Sequence, residues 1–210
     1  MDPTVVRTVE TSLYFLALIN PASKIVLLSS MQPRCSRTGL WAVSIRANTV
    51  AWLILIVLCV AGNLVLEVVF HVNLYSLKVA GGVILFIIGL TAVRKGRFYE
   101  EDLHGRPGDI SIVPLGAPLI AGPGTITAAI SFASANGLAI TILALTLAIL
   151  VNLLLMALSF EIGDLLERIH ATGPLIRIAG LVVATVAVQM VLSGLGEWAH
   201  LAPAALTGGT

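Results

Sequence analysis

Apolar residues in this chain run in long uninterrupted blocks instead of alternating with polar ones. No residue is charged between Arg46 and Glu67, and none between Asp109 and Glu161. About 20 apolar residues cross the hydrocarbon core of a bilayer as one helix. The blocks predict six such helices, over 8–31, 45–67, 72–94, 110–134, 137–160 and 174–195. Only the tight polar turn Ser134-Ala135-Asn136-Gly137 parts the fourth from the fifth, and the longest polar stretch, 94–109, divides the chain in two. The expected fold is an all-α integral membrane protein. One membrane domain, 1–210, would hold a three-helix half at 1–94, a cytoplasmic linker at 95–109 and a second three-helix half at 110–210.

Composition sharpens that picture. Of the 210 residues, 58% are hydrophobic and only 11% charged, against roughly 25% charged in a soluble domain. So few charges cannot cover a soluble surface. A net charge of +1 gives no electrostatic case for nucleic acid. Cys35 and Cys59 offer neither metal-ligand spacing nor a disulfide framework, and Cys59, inside an apolar run, is expected to pack. The start Met1-Asp2-Pro3-Thr4 lacks the basic region of a cleaved signal, so the first block is expected to be kept as a helix. Arg34, Arg37, Arg46, Arg94, Lys95, Arg97, Arg106 and Arg168 lie on one side of the spans, with Arg7 and Lys78 on the other. Positive residues stay in the cytoplasm, which points both termini outward.

The two halves resemble one another. Asn20-Pro21-Ala22-Ser23 matches Gly122-Pro123-Gly124-Thr125 at an offset of 102, and Gly62-Asn63-Leu64 matches Gly163-Asp164-Leu165 at 101. Leu77-Lys78-Val79-Ala80-Gly81 matches Ile176-Arg177-Ile178-Ala179-Gly180 at 99. A duplicated unit of three spans enters the membrane from the opposite side the second time, giving an inverted 3+3 repeat of the kind transporters use.

The first and fourth blocks are broken. Pro21 removes an N–H in mid-membrane and clashes with the carbonyl of Ala17, which then needs another partner. Asn20 before it suits an N-cap and proline suits the first helical position, so Asn20-Pro21 predicts the start of a half-helix. The fourth block carries Pro114, Gly116, Pro118, Gly122, Pro123 and Gly124, with Thr125 free to bond released backbone groups. Half-helix N-termini suit a carboxylate and released carbonyls suit an ammonium or small cation. Together they would suit a zwitterionic amino acid, held by Asn20, Pro21 and Ser23 on one side and Gly122, Pro123, Gly124 and Thr125 on the other. Against this stands the plainer reading that the prolines only kink their helices.

Lys24, one turn beyond Pro21, is costly in a span. It either meets a substrate carboxylate or gates a path, or it snorkels to the cytoplasm or pairs with Glu161 or Asp164; the second reading is favoured. Asn48, Asn152 and Gln189 are polar within spans, and lining a path and gluing helices are equally open to them. Lys78 and Arg177 read as interface anchors. Ala80, Gly81, Gly82 and Gly89, with Ala179, Gly180, Ala184 and Ala187, read as small faces for close helix packing. His71, His104, His170 and His200 sit near segment ends or in loops, and no intramembrane Ser–His pair or HExxH pattern marks a hydrolase.

Several of these runs resemble the MarC family of bacterial and archaeal inner-membrane proteins. They are Asn20-Pro21, Lys78-Val79-Ala80-Gly81-Gly82, Asp109-Ile110-Ser111-Ile112-Val113-Pro114-Leu115, the stretch from Pro118-Leu119-Ile120-Ala121-Gly122 through Pro123-Gly124-Thr125-Ile126, and Ala187-Val188-Gln189-Met190. The resemblance covers nearly the whole chain and departs from the family's usual pattern at Ala22-Ser23-Lys24. It implies kinship with LysE-type exporters, six helices with re-entrant or broken segments, and an inner-membrane location. It also implies a non-enzymatic role of the kind given to members called SnatA, small neutral amino-acid transport. The expectation is therefore a secondary transporter, exporter or exchanger, of glycine, alanine or serine. It would use no cofactor or metal, and a proton or sodium ion would be the coupling ion where there is one. Self-association is left open. An ion or small-solute channel and a non-transporting membrane scaffold are the alternatives.

Overall fold

The computed structural model describes residues 2–30, 37–64, 68, 71–96 and 120–207. Regular structure among them is entirely helical: α1 Pro3–Ile19, α2 Pro21–Ser30, α3 Arg37–Leu64, α4 Leu74–Lys95, α5 Pro123–Asn136, α6 Leu138–Ala157, α7 Ser159–Arg168 and α8 Thr172–Thr207. Five stretches are long and apolar enough to span a bilayer: Pro3–Ser29 (α1 and α2 together), Arg37–Gly62, Leu74–Lys95, Leu138–Ala157 and Thr172–His200. The fourth expected span is seen only from residue 120 on. Its helix, α5, has 14 residues, or about 21 Å at 1.5 Å per residue, short of the ~30 Å hydrocarbon core. The expected stretch 110–119, with Pro114, Gly116 and Pro118, lies outside the described residues, as do Cys35 and most of the linker.

Helix ends are set by local chemistry that hydropathy does not register. The first helix begins five residues before the expected position 8, because Asp2 and Pro3 form a start signal. The Asp2 Oδ1 accepts the Thr4 N–H at 3.0 Å, and Pro3 occupies the first turn, where its missing N–H costs nothing. Helix α4 stops at Gly96, whose φ of 68° lets its N–H turn back to the Ala92 carbonyl; Arg94 and Lys95 in the last turn complement the helix dipole. Gly137, at φ 86°, makes the corner between α5 and α6, as the turn sequence predicts. Helix α8 runs well past the expected 195, to Thr207.

Polarity is turned inside out relative to a soluble bundle. Leu53, Val57 and Val60 of α3, Leu143, Leu150 and Leu154 of α6, and Ile178, Leu181 and Leu192 of α8 point outward. Thr8, Ser12, Asn48, Thr127, Thr141 and Asn152 are buried. An apolar belt around a partly polar interior fits lipid as solvent, since every buried polar group must then be satisfied within the protein. The hydroxyls comply by bonding one turn back: Thr8 to Thr4 O at 2.8 Å, Ser12 to Thr8 O at 2.7 Å and Thr141 to Gly137 O at 2.9 Å.

Helices α4 and α8 run antiparallel along a seam of small residues. A Cβ on Gly89 would stand 2.7 Å from Ala184 N and 2.8 Å from Gly180 O, and one on Gly82 would stand 2.8 Å from Ala187 O. Only glycine permits this backbone approach. The expected small faces therefore pack as read, except Ala80, which is exposed. Lys78 and Arg177 close the two ends of the seam: Lys78 Nζ pairs with Glu197 Oε1, and Arg177 donates to Val93 O at 3.1 Å.

Candidate solute site

The break between α1 and α2 is made differently from the sequence expectation. Asn20 does not cap α2 with its side chain. It ends α1 in the left-handed region, φ 54°, and its N–H bonds to Leu16 O at 2.9 Å. Asparagine tolerates that conformation better than other non-glycine residues. In an unbroken helix the Ser23 N–H would reach Ile19 O; here it turns to Asn20 O at 3.2 Å, and Ser23 Oγ donates to the same oxygen at 2.8 Å. Ile19 O is thereby released, and Lys24 Nζ donates to it and lies 3.5 Å from Asn20 O. Lys24 is 2% exposed, so it does not snorkel. The expected partner Glu161 is instead joined to Arg37 at 2.6 Å, and the side chain of Asp164 lies outside the described residues.

The second break uses a similar device. Gly122, with extended backbone, is the N-cap of α5, Pro123 follows in the first turn, and Ile126 N–H bonds Gly122 O at 2.9 Å. Thr125 Oγ1 reaches five residues back to Ile120 O at 2.7 Å, the same span that Lys24 covers to Ile19. Gly124 answers to packing. A Cβ there would meet Leu85 Cδ2 of α4 at 2.8 Å, so the neighbouring helix also favours a glycine here.

The two breaks lie at nearly one depth. Asn136 approaches Thr11 at 3.5 Å, and Phe132 meets Tyr14 and Phe15 edge-on at ring separations of 5.1 and 5.7 Å, so α1 and α5 are antiparallel. From the Phe15–Phe132 contact, Asn20 is five residues along and Pro123 nine residues along in the same direction. At 1.5 Å per residue the breaks differ in depth by about 6 Å, roughly one helical turn.

Beside the second and third turns of α5 a cleft of about 190 Å³ lies between α1, α4, α5 and α8. Its polar wall is Thr127 and Ser131 from α5, Gln189 and Ser193 from α8, Tyr14 from α1, and Lys78. At ~30 Å³ per water this is room for about six waters, small against the ~300–1,000 Å³ of a drug-sized pocket. A second cleft, about 270 Å³, is lined by Arg37, Thr38, Leu40, Trp41, Met156 and Ala157. An ion pair stands at each: Lys78–Glu197 at the first and Arg37–Glu161 at the second.

A match to the family described as MarC family integral membrane protein extends over residues 5–199. This chain belongs to the MarC family. Among its relatives, a UPF0056 membrane protein of Pyrococcus horikoshii is 33% identical over 187 residues, covering 89% of this chain and 92% of that one. A UPF0056 membrane protein of Aquifex aeolicus is 28% identical over 93% of this chain and 95% of its own. The UPF0056 membrane protein YvbG of Bacillus subtilis is 27% identical over 85% and 89%. No solved structure matches.

In this MarC protein the residues singled out in the sequence fall in separate places. Asn20, Pro21, Ser23 and Lys24 build one break; Gly122, Pro123, Gly124 and Thr125 build the other. Asn48 and Asn152 meet at the α3–α6 interface, Nδ2 of Asn152 to Oδ1 of Asn48 at 2.8 Å, both buried. Their hydrogen bond ties α3 to α6. Gln189 is apart from them, on the cleft wall. Sequence reading missed Tyr14, Thr127, Ser131 and Ser193 as cleft residues. The available signal was two polar pairs at one-turn spacing, Thr127 with Ser131 and Gln189 with Ser193, each marking one helix face.

Proposed function

We propose that this MarC protein is a secondary transporter, exporter or exchanger, of small neutral amino acids in the inner membrane. Two inverted three-span halves alternate access to a site at the paired breaks, with both termini facing outward. The observation that carries this reading is the antiparallel pair of proline-started helices whose breaks lie within about one helical turn of each other in depth, each with its released carbonyl claimed by a side chain of its own first turns. The N–H ends of α2 and α5 suit a carboxylate, and the nearby cleft is sized for a small solute rather than a large one.

Internal symmetry supports the inverted arrangement. The equivalent helices pack antiparallel: α1 on α5, α3 on α6 through Trp52–Thr146 and Asn48–Asn152, and α4 on α8.

The test is thermal unfolding of the purified protein against the twenty amino acids, followed by counterflow of labelled alanine in proteoliposomes. Glycine, alanine or serine should stabilise it, and preloaded alanine should accelerate uptake. Stabilisation by lysine or glutamate instead would overturn the substrate class. Uptake without exchange would identify a channel, and no stabilisation by any amino acid would leave a scaffold. Outside-only labelling of a His104→Cys variant would reverse the orientation.

A further inference from the structure

A break in a membrane helix releases carbonyl oxygens, and in hydrocarbon each must find a partner. At the first break three oxygens cluster: Ile19 O, Asn20 O and Ser23 Oγ, the last 2.8 Å from Asn20 O. Such a cluster of backbone and hydroxyl oxygens, drawn from an unwound turn, is what a hard monovalent cation takes as ligands. Here the position is filled from within. Lys24 Nζ donates to Ile19 O and approaches Asn20 O, and its side chain is 2% exposed. The Asn20 amide stands at the same break, 8% exposed, with no partner for its Nδ2. Among the described residues the second break has no counterpart, since a neutral hydroxyl, Thr125 Oγ1, satisfies Ile120 O.

We propose that the α1–α2 break is a monovalent-cation site whose occupant is the chain's own Lys24 amino group, so that Na⁺ does not bind there until the lysine is removed. The side chain is tethered one turn away and needs no ion from solution, so the break stays organised in the absence of sodium. Cutting Lys24 back leaves Ile19 O and Asn20 O without their ammonium partner, and Ser23 Oγ stands 2.8 Å from Asn20 O beside them. The site then takes Na⁺ or Li⁺. The inference concerns the break alone, is independent of which solute is carried, and stands even where no amino acid binds.

Thermal unfolding in detergent separates the outcomes. The parent, in sodium, lithium, potassium and choline chloride at equal ionic strength, should unfold at one temperature. Lys24→Ala should unfold lower in choline and recover in sodium or lithium with saturable dependence. The recovery should be a few degrees at about ten times the dissociation constant. Lys24→Met keeps the stem and fills the space with an apolar end. It should be destabilised in every salt with no sodium-specific recovery. Sodium-specific stabilisation of the parent would overturn the proposal, because the position would not be filled by Lys24. A folded Lys24→Ala protein that ignores sodium would overturn it as well. So would a Lys24→Ala protein that folds in none of the salts, since the oxygens would then require the tethered nitrogen itself.

Discussion

Asn152 donates its side-chain amide to Asn48 Oδ1 at 2.8 Å, bridging α6 to α3 where both residues are almost fully buried. Asn48 in turn donates to Ser44 O at 2.8 Å, while Asn152 Oδ1 is left without a partner. The pair thus joins two spans at the cost of one orphaned acceptor.

Replacing Asn152 by leucine removes that orphan but strands Asn48 Oδ1. Interhelical polar bonds in membranes contribute about 0.6–2 kcal/mol. We expect Asn152→Leu and Asn48→Leu each to lower stability by about 1 kcal/mol, and the double variant to lose clearly less than the sum. Unfolding in mixed detergent checks this; strict additivity would mean that the bond contributes nothing.

The α4–α8 seam gives a sharper contrast. A methyl on Gly89 meets backbone atoms of α8 that cannot move aside alone, whereas one on Gly196, in the same helix pair, meets nothing within 4 Å. Gly89→Ala should cost about 1–3 kcal/mol as overpacking. Gly196→Ala should be neutral or stabilising by up to about 1 kcal/mol, since alanine favours a helix over glycine. Equal effects of the two substitutions on unfolding temperature would show that the seam is not tight.

Glu161 offers a pH test outside the spans. Its own backbone N–H in the first turn of α7, and then the Arg37 guanidinium, hold its carboxyl below the usual glutamate range. A depressed native value contributes stability above the ordinary pKa of about 4.3, and that contribution is lost as pH falls through the lower native value. The parent should therefore still unfold higher than Glu161→Gln at pH near 4.3, with the difference fading only below it. Both side chains are largely exposed, so the difference should be small and shrink with salt. A gap that closes well above the glutamate range would contradict this assignment.

Five of the six expected spans were legible in the sequence because a bilayer demands long uncharged blocks, and the seam because closely packed helices demand small residues. The site was legible only in part. Asparagine serves both as an N-cap and as a left-handed helix end, so the letters Asn20-Pro21 cannot say which; the φ of 54° decides it. Charge and cost in lipid suggested that Lys24 escapes to the interface, yet a carbonyl released five residues earlier holds it inside. The cleft draws on four helices from both ends of the chain, and no local pattern announces their meeting.

The paired breaks carry the last prediction. If Pro21 and Pro123 only kink their helices, alanine in their place restores a backbone hydrogen bond and leaves binding unchanged. The first break, however, is held by more than its proline: Asn20 is left-handed, Ser23 has shifted to Asn20 O, and Lys24 bonds Ile19 O. Pro21→Ala alone should therefore leave much of the break in place and weaken amino-acid binding only in part. Asn20→Leu adds a residue for which the left-handed region costs roughly 1–2 kcal/mol. The double variant Asn20→Leu with Pro21→Ala should let α1 run into α2, consume the free N–H groups internally and abolish binding. At the second break the cap is Gly122 with extended backbone and no side-chain bond, so less resists Pro123→Ala, and that single change should weaken binding more than Pro21→Ala does. All three variants should insert and elute as the parent does, since none touches the α4–α8 seam. Thermal shift with alanine or glycine ranks them. Binding that survives in the double variant and in Pro123→Ala would show that the breaks are kinks and that the solute is held elsewhere, with the Thr127–Ser131–Gln189–Ser193 cleft as the next place to substitute.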